Sequence, residues 1–196
     1  MNKGAQTRAT ILNHAVTMAG VHGLDGMSIG HLASVTGMSK SGLFGHFGSK
    51  EALQRAVLEA AVKNFARSVL GPAQQESTGE ARLRSLFNHW LQWLDAEEHP
   101  GGCPLVSASI ELADRPGKLR DYLVDQQETW VDRIRRMCQR AVAEGKFHDG
   151  LDTQQFAFEF HSIGLGFNFA RRLLSHSKAQ THARLALDKL IDAVKR

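Results

Sequence analysis

Long apolar runs are missing from this 196-residue chain. No stretch of about 18 consecutive apolar residues occurs, which excludes a membrane-spanning helix. The opening residues, Met1 to Arg8, lack the apolar core of a secretory signal. Cysteine is scarce: Cys103 and Cys138 are too few for a disulfide framework and suit a reducing compartment. Only four prolines interrupt the chain, so long stretches are free to be helical. Catalytic signatures are lacking too: there is no glycine-rich phosphate loop, no G-x-S-x-G elbow and no H-E-x-x-H helix. Gly164-Leu165-Gly166-Phe167 sits inside a helical pattern instead of after a strand, so it is no dinucleotide fingerprint. His161 has no neighbouring histidine or carboxylate at metal-ligand spacing. The chain is therefore expected to be cytoplasmic, not an enzyme, and to need neither cofactor nor metal.

What is present points to a folded helical protein. Hydrophobic residues make up 42 % of the chain and charged residues 22 %, the balance of an ordinary globular domain. The net charge of +4 is unevenly spread. Residues 1–50 carry Lys3, Arg8, Lys40 and Lys50 against Asp25 alone, together with His14, His22, His31 and His46. A small basic segment on a nearly neutral body suits an anionic partner, nucleic acid or a membrane surface, and equally a solvated basic face.

Periodicity gives about nine helices and no strand. Ile11, Leu12, Ala15, Val16 and Ala19 share one face of a helix from about Thr7 to His22, which Gly23 stops. Ser28 caps a short second helix, Gly37 breaks it, and Ser39 caps a third that carries Leu43, Phe44 and Phe47. Gly48-Ser49 opens a fourth, running to Gly71-Pro72. Ser77-Thr78-Gly79-Glu80 has the spacing of a capping box ahead of Leu83, Leu86, Phe87, Trp90 and Leu94. His99-Pro100-Gly101-Gly102 ends that helix. Cys103-Pro104, Leu119 and Asp152 mark three more, and the last runs from about Ala179 to Val194.

Residues 28–48 are the functionally informative stretch. Two short helices joined through Gly37, with small Ala33 for close packing and Leu43 behind, make a helix-turn-helix. Its second helix opens with Ser39, Lys40 and Ser41, donors at the end that meets base edges in this motif. The run Ser39-Lys40-Ser41-Gly42-Leu43-Phe44-Gly45-His46-Phe47-Gly48-Ser49-Lys50-Glu51-Ala52-Leu53 resembles the signature of the TetR family of bacterial transcriptional regulators. Arg8-x-x-Ile11-Leu12-x-x-Ala15 and Ile29-x-x-Leu32-Ala33 match that family's first two helices. The Gly101-Gly102-Cys103-Pro104 loop looks like that of one subgroup of its effector domains.

The resemblance implies a DNA-binding domain over residues 1–48 and an effector-binding and dimerisation domain over 49–196. It implies a homodimer on double-stranded DNA at a near-palindromic operator, with release by a small molecule. Carried over position by position, it assigns DNA contact to Ser28, Ser39, Lys40, Ser41, Gly42, Phe44, His46 and Lys50. Phe44 stands where many members have Tyr and lacks the hydroxyl that would reach a phosphate. Lys50 adds charge to a helix start already favourable to anions.

Five of the ten phenylalanines, Phe156, Phe158, Phe160, Phe167 and Phe169, fall within fourteen residues, so their helix is apolar over most of its circumference. One side is expected against the body and the other against a second subunit. That dimer face is assigned to Phe160, Gly164, Phe167, Leu187, Leu190, Ile191 and Val194. An effector pocket is assigned to Phe65, Trp90, Trp93, Cys103, Trp130, Met137 and His161, an apolar set with a few polar groups. Two alternatives stay open: a redox- or electrophile-sensing repressor acting through Cys103 at a helix start, and a helical ligand-binding protein or enzyme in which the helix-turn-helix is only architecture.

Overall fold

A computed structural model describes residues 3–97 and 100–196, so Met1, Asn2 and His99 lie outside the described residues. Among the described residues there are ten α-helices: α1 (Lys3–Gly26), α2 (Ile29–Val35), α3 (Lys40–Phe47), α4 (Lys50–Phe65), α5 (Gly71–Gln74), α6 (Gly79–Asp95), α7 (Pro104–Leu112), α8 (Lys118–Ala143), α9 (Thr153–Arg172) and α10 (Ala179–Asp192). A π-helical turn (Ala66–Leu70) joins α4 to α5 without a break in the helical assignment, so these count together and the expected nine helices are found. Among the described residues the only β pairing is an isolated bridge between Phe147 and Lys195. None of the described helices is long and apolar enough to cross a membrane.

The chain packs as two units, residues 1–64 with 96–125, and residues 65–95 with 126–196. This division by packing differs from the expected division by role because α7 packs against α1. In the first unit Ile11, Ala15, Leu32, Ala33, Leu43, Leu53 and Val57 are buried, the apolar faces anticipated from their spacing. Helix α1 kinks at Gly23, whose φ of 75° lies in the left-handed region that a side chain disfavours. Beyond the kink, the amides of Leu24 and Asp25 donate to the Glu111 carboxylate of α7 at 2.7 and 2.8 Å. Gly101 comes so close to Gly20 that a Cβ there would overlap backbone.

The second unit is built on α6, α9, α10 and most of α8. Leu83, Leu86, Phe87, Trp90 and Leu94 of α6 are buried, as their spacing requires. The α6 start is one residue later than the capping-box pattern implies. Thr78, not Ser77, accepts from the Ala81 amide at 3.3 Å, and Glu80 is held by Arg84 at 2.9 Å. The reason is long-range: the Gly79 amide donates to Glu144 at 2.7 Å, and a side chain at Gly79 would strike the backbone of α8. Asp152 caps α9, accepting from the amides of Gln154 and Gln155 at 2.9 and 3.0 Å.

Most residues expected on the dimer face lie inside the single subunit. Phe160, Phe167, Leu187, Ile191 and Val194 are buried within the subunit, Leu190 is half-buried, and Phe160 stacks on Trp90 at 6.4 Å. Gly164 does permit a close approach, but the approaching group is the Trp90 ring of the same subunit. Outward on α9 stand Phe158, Leu165 and Phe169, at 65, 39 and 54 % exposure, with Leu185 exposed on α10. Gly164→Ala is expected to cost about 1–3 kcal/mol, because its methyl overlaps a buried indole that has no room to move. For a chain of this length that is a fall of roughly 2–4 °C in Tm per kcal/mol, read by calorimetry. An unchanged Tm would mean that Trp90 moves aside freely.

Candidate nucleic-acid interface

The helix-turn-helix is assembled by short-range caps. Ser28 accepts from the His31 amide at 3.3 Å to start α2. The Thr36 hydroxyl donates to the Leu32 carbonyl at 2.7 Å and the Met38 amide to Ala33 at 2.9 Å, closing α2 over Gly37, whose φ is 65°. Ser39 then starts α3, accepting from the Gly42 amide at 3.0 Å, and its hydroxyl lies 3.1 Å from that of Ser41. A side chain at Gly42 would crowd Ser39 Oγ, which gives Gly42 a local reason to be glycine. Gly48, with φ of 79°, ends α3, its amide donating to Phe44 at 2.7 Å. Ser49 caps α4 through the Ala52 amide at 3.1 Å.

These caps fix which side chains face out. Leu43 is buried, with Leu32 and Ala33, while Ser39, Lys40, Ser41 and Phe44 are exposed and His46 is half-buried. Phe47, read as core, is half-buried under Arg8, whose guanidinium lies 5.0 Å from the ring centre. Ser28 is exposed, and its hydroxyl already serves as the α2 cap.

Lys50 has partners within the subunit. Its ammonium donates to the Asp25 carbonyl at 3.1 Å and lies 4.0 Å from the Asp25 carboxylate. The turn between α1 and α2 is braced from three directions. Glu111 takes its amides, Gln54 donates to the Leu24 carbonyl at 3.0 Å, and Arg115 pairs with Asp25. The Arg115 hydrogen bond is the chief cause that holds the Asp25 carboxyl below the usual carboxylate range; desolvation opposes it, and Gln54 and Lys50 add smaller contributions in its favour. Lys50 thus belongs to the frame that orients the reading head. Lys40, by contrast, is exposed with no carboxylate partner among the described residues.

Five of the seven residues expected in a pocket do gather in the second unit. Phe65 lies edge-on to Trp93 at 5.8 Å and to Trp130 at 5.0 Å, and Trp90 lies 5.1 Å from Trp130. The Trp130 indole N–H donates to His161 Nδ1 at 3.0 Å. Burial lowers the His161 pKa, so the ring is neutral and carries its proton on Nε2. Met137 instead lines a polar cleft on α8. Cys103 belongs to the first unit, at the α7 N-cap and 3 % exposed. That burial shuts it off from the soluble oxidants a sensor cysteine must meet. Burial pushes the Cys138 thiol up to about 12, which keeps it inert. Glu111, Arg115 and Gln54 carry no sequence pattern that marks them, since their partners are backbone groups or lie far along the chain.

The comparisons with known proteins agree with this geometry. Residues 11–57 match "Bacterial regulatory proteins, tetR family", and residues 79–187 match "Tetracyclin repressor-like, C-terminal domain". The HTH-type transcriptional repressor ComR of Escherichia coli is 26 % identical over 171 residues, 84 % of this chain and 79 % of the relative. The repressor KstR2 of Mycolicibacterium smegmatis is 27 % identical over 154 residues, covering 76 % and 71 %. A TetR transcriptional regulator from Chloroflexus aurantiacus superposes with a TM-score of 0.91 at 24 % identity, over 100 % of this chain and 99 % of its own. AibR, solved with isovaleryl coenzyme A and operator DNA, has a TM-score of 0.75 at 21 % identity, covering 96 % and 98 %. With the second of the two matched segments alone spanning more than half its length and the helix-turn-helix capped and exposed as described, this chain belongs to the TetR family of bacterial transcriptional regulators.

Proposed function

We propose that this protein is a cytoplasmic, non-enzymatic repressor that binds a near-palindromic operator as a homodimer and is released by a small molecule. The observation that carries the reading is the start of α3, where Ser39 is a cap and Lys40 and Ser41 stand exposed, Lys40 with no carboxylate partner among the described residues. Residues 1–48 are the reading head and 49–196 hold the dimer and effector functions. Lys40 meets phosphate, Ser41 reaches a base edge, and Phe44 packs its ring against the sugar-phosphate backbone. Lys50 and Gly42 act by shaping the head. The dimer face is the outward strip Phe158, Leu165, Phe169 and Leu185. The effector is a compact molecule with an apolar body, received among Phe65, Trp90, Trp93 and Trp130 with neutral His161 as its polar contact. The complex of AibR with isovaleryl coenzyme A and operator DNA supports a fold of this shape serving both ligands.

The test is electrophoretic mobility with DNA from upstream of the protein's own gene, at several salt concentrations. Binding should weaken steeply with salt, because phosphate contacts release counterions. Lys40→Ala removes one contact per subunit and is expected to reduce the salt slope of the dimer by about 2 while weakening all sequences alike. Ser41→Ala is expected to leave the slope and change the preference among operator variants. An unchanged slope in Lys40→Ala would take that side chain off the phosphate.

A further inference from the structure

The second unit carries a cleft of about 550 Å³ that the helix-turn-helix reading does not use. Four of its lining side chains are arginines: Arg82 from α6 and Arg133, Arg136 and Arg140 from α8. Positions 133, 136 and 140 recur at helical spacing, so α8 turns three guanidiniums to one side. No lysine lines the cleft. That selection matters, because a guanidinium offers a planar fork of donors matched to two oxygens of a phosphate, whereas an ammonium is a point charge.

Arg82 is held in place by neutral acceptors, and Arg140 by one neutral acceptor and one carboxylate. Arg82 donates to the Glu76 and Gln74 carbonyls at 2.8 and 3.1 Å. Arg140 donates to the Ser77 carbonyl at 2.6 Å and to Glu144 at 2.6 Å. Carbonyls orient a guanidinium without cancelling its charge, which is preorganisation for an anion. Arg136 is paired with Asp132 at 2.6 Å, and Asp132 is shared with Arg135. Arg133 is exposed and has no ion-pair partner among the described residues. Against four guanidiniums stand three carboxylates, Glu128 and Asp132 in the lining and Glu144 paired with Arg140, which leaves Arg133 as the guanidinium without an ion pair among the described residues. The cleft therefore keeps an uncompensated positive charge, and its volume suits a metabolite-sized ligand.

We propose that this cleft binds a small phosphorylated metabolite, its phosphate gripped by Arg133 and Arg82 and its organic part facing Glu128. The proposal stands apart from operator binding and from the aromatic effector set. It is tested by titration calorimetry at fixed ionic strength with inorganic pyrophosphate, adenosine diphosphate and uncharged adenosine. Pyrophosphate and adenosine diphosphate are expected to bind at sub-millimolar concentration and adenosine not at all. Tighter binding of adenosine diphosphate identifies a nucleotide-like ligand, and equal binding identifies the phosphate group alone. Arg133→Ala is expected to weaken both by about tenfold or more, the worth of a charge-assisted hydrogen bond. Lys146→Ala, which removes a surface charge outside the cleft, is expected to leave them unchanged. No binding by the intact protein, equal weakening by the two variants, or full binding by a folded Arg133→Ala protein would each overturn the proposal. Arg133→Ala that weakens operator DNA but not pyrophosphate would overturn it too, by making the cleft a nucleic-acid contact.

Discussion

Phe158→Glu combined with Phe169→Glu is expected to convert the protein from a dimer of twice 21.6 kDa into a stable monomer. Both rings are mostly exposed in the single subunit, so charging them removes nothing from its interior, and Tm should fall only by what association contributes. In a dimer the same positions would bury four carboxylates against apolar neighbours, which the assembly cannot tolerate without partners. Operator affinity should fall by about 10²–10⁴, since a second half-site is engaged at high effective concentration only when the two heads are linked. Light scattering and mobility shift, measured on one preparation, decide it. A persistent dimer would place the interface elsewhere, whereas a monomer with full operator affinity would remove the need for two-fold recognition.

The rotation of α9 shows where sequence periodicity stops being informative. Helix α9 carries phenylalanine on two opposite faces, so spacing alone cannot distinguish the side facing the body from the side facing out. Its rotation is decided by Gly164, which lets the Trp90 ring of α6 approach, a contact between residues far apart in the chain. Phe160 and Phe167 are thereby turned inward and Phe158, Leu165 and Phe169 outward. The helix ends, by contrast, were legible because their causes are local. Ser28, Ser39, Ser49 and Asp152 each cap an amide two or three residues ahead, and a reader of the sequence sees both partners at once.

The same distinction sorts the DNA-binding residues. The exposed face of α3 follows from Leu43 being buried and from the turn at Gly37, both readable from neighbouring residues. The bracing bond of Lys50 is not legible in the sequence, because its acceptor is a backbone carbonyl 25 residues upstream. Glu111 was invisible for the same reason, since its partners are the amides of Leu24 and Asp25. The capping box failed by one residue because Glu144, 65 positions away, captures the Gly79 amide. Where a residue's role is set by a backbone group of a distant segment, no pattern of side chains announces it.

The second large effect is expected in the coupling of effector to operator. Helix α4 begins with Lys50, which braces the reading head through Asp25, and ends with Phe65, which packs on Trp93 and Trp130. One continuous helix thus has its first residue in the frame of the head and its last in the aromatic set. A ligand that parts those rings must bind one arrangement of the chain better than the other in order to release DNA. A differential affinity of about 1–3 kcal/mol suffices to weaken operator binding 5- to 150-fold. By linkage, operator DNA must then weaken the ligand by the same factor. Any compound that raises Tm in a thermal-shift screen serves as the probe, titrated with and without saturating operator. Trp130→Phe, which removes the indole N–H held by His161, should change the ligand's affinity while leaving operator affinity in its absence as it was. Equal ligand affinity in the two titrations would mean that the compound occupies a site with no influence on DNA, and the arginine cleft would then be the first place to look for it.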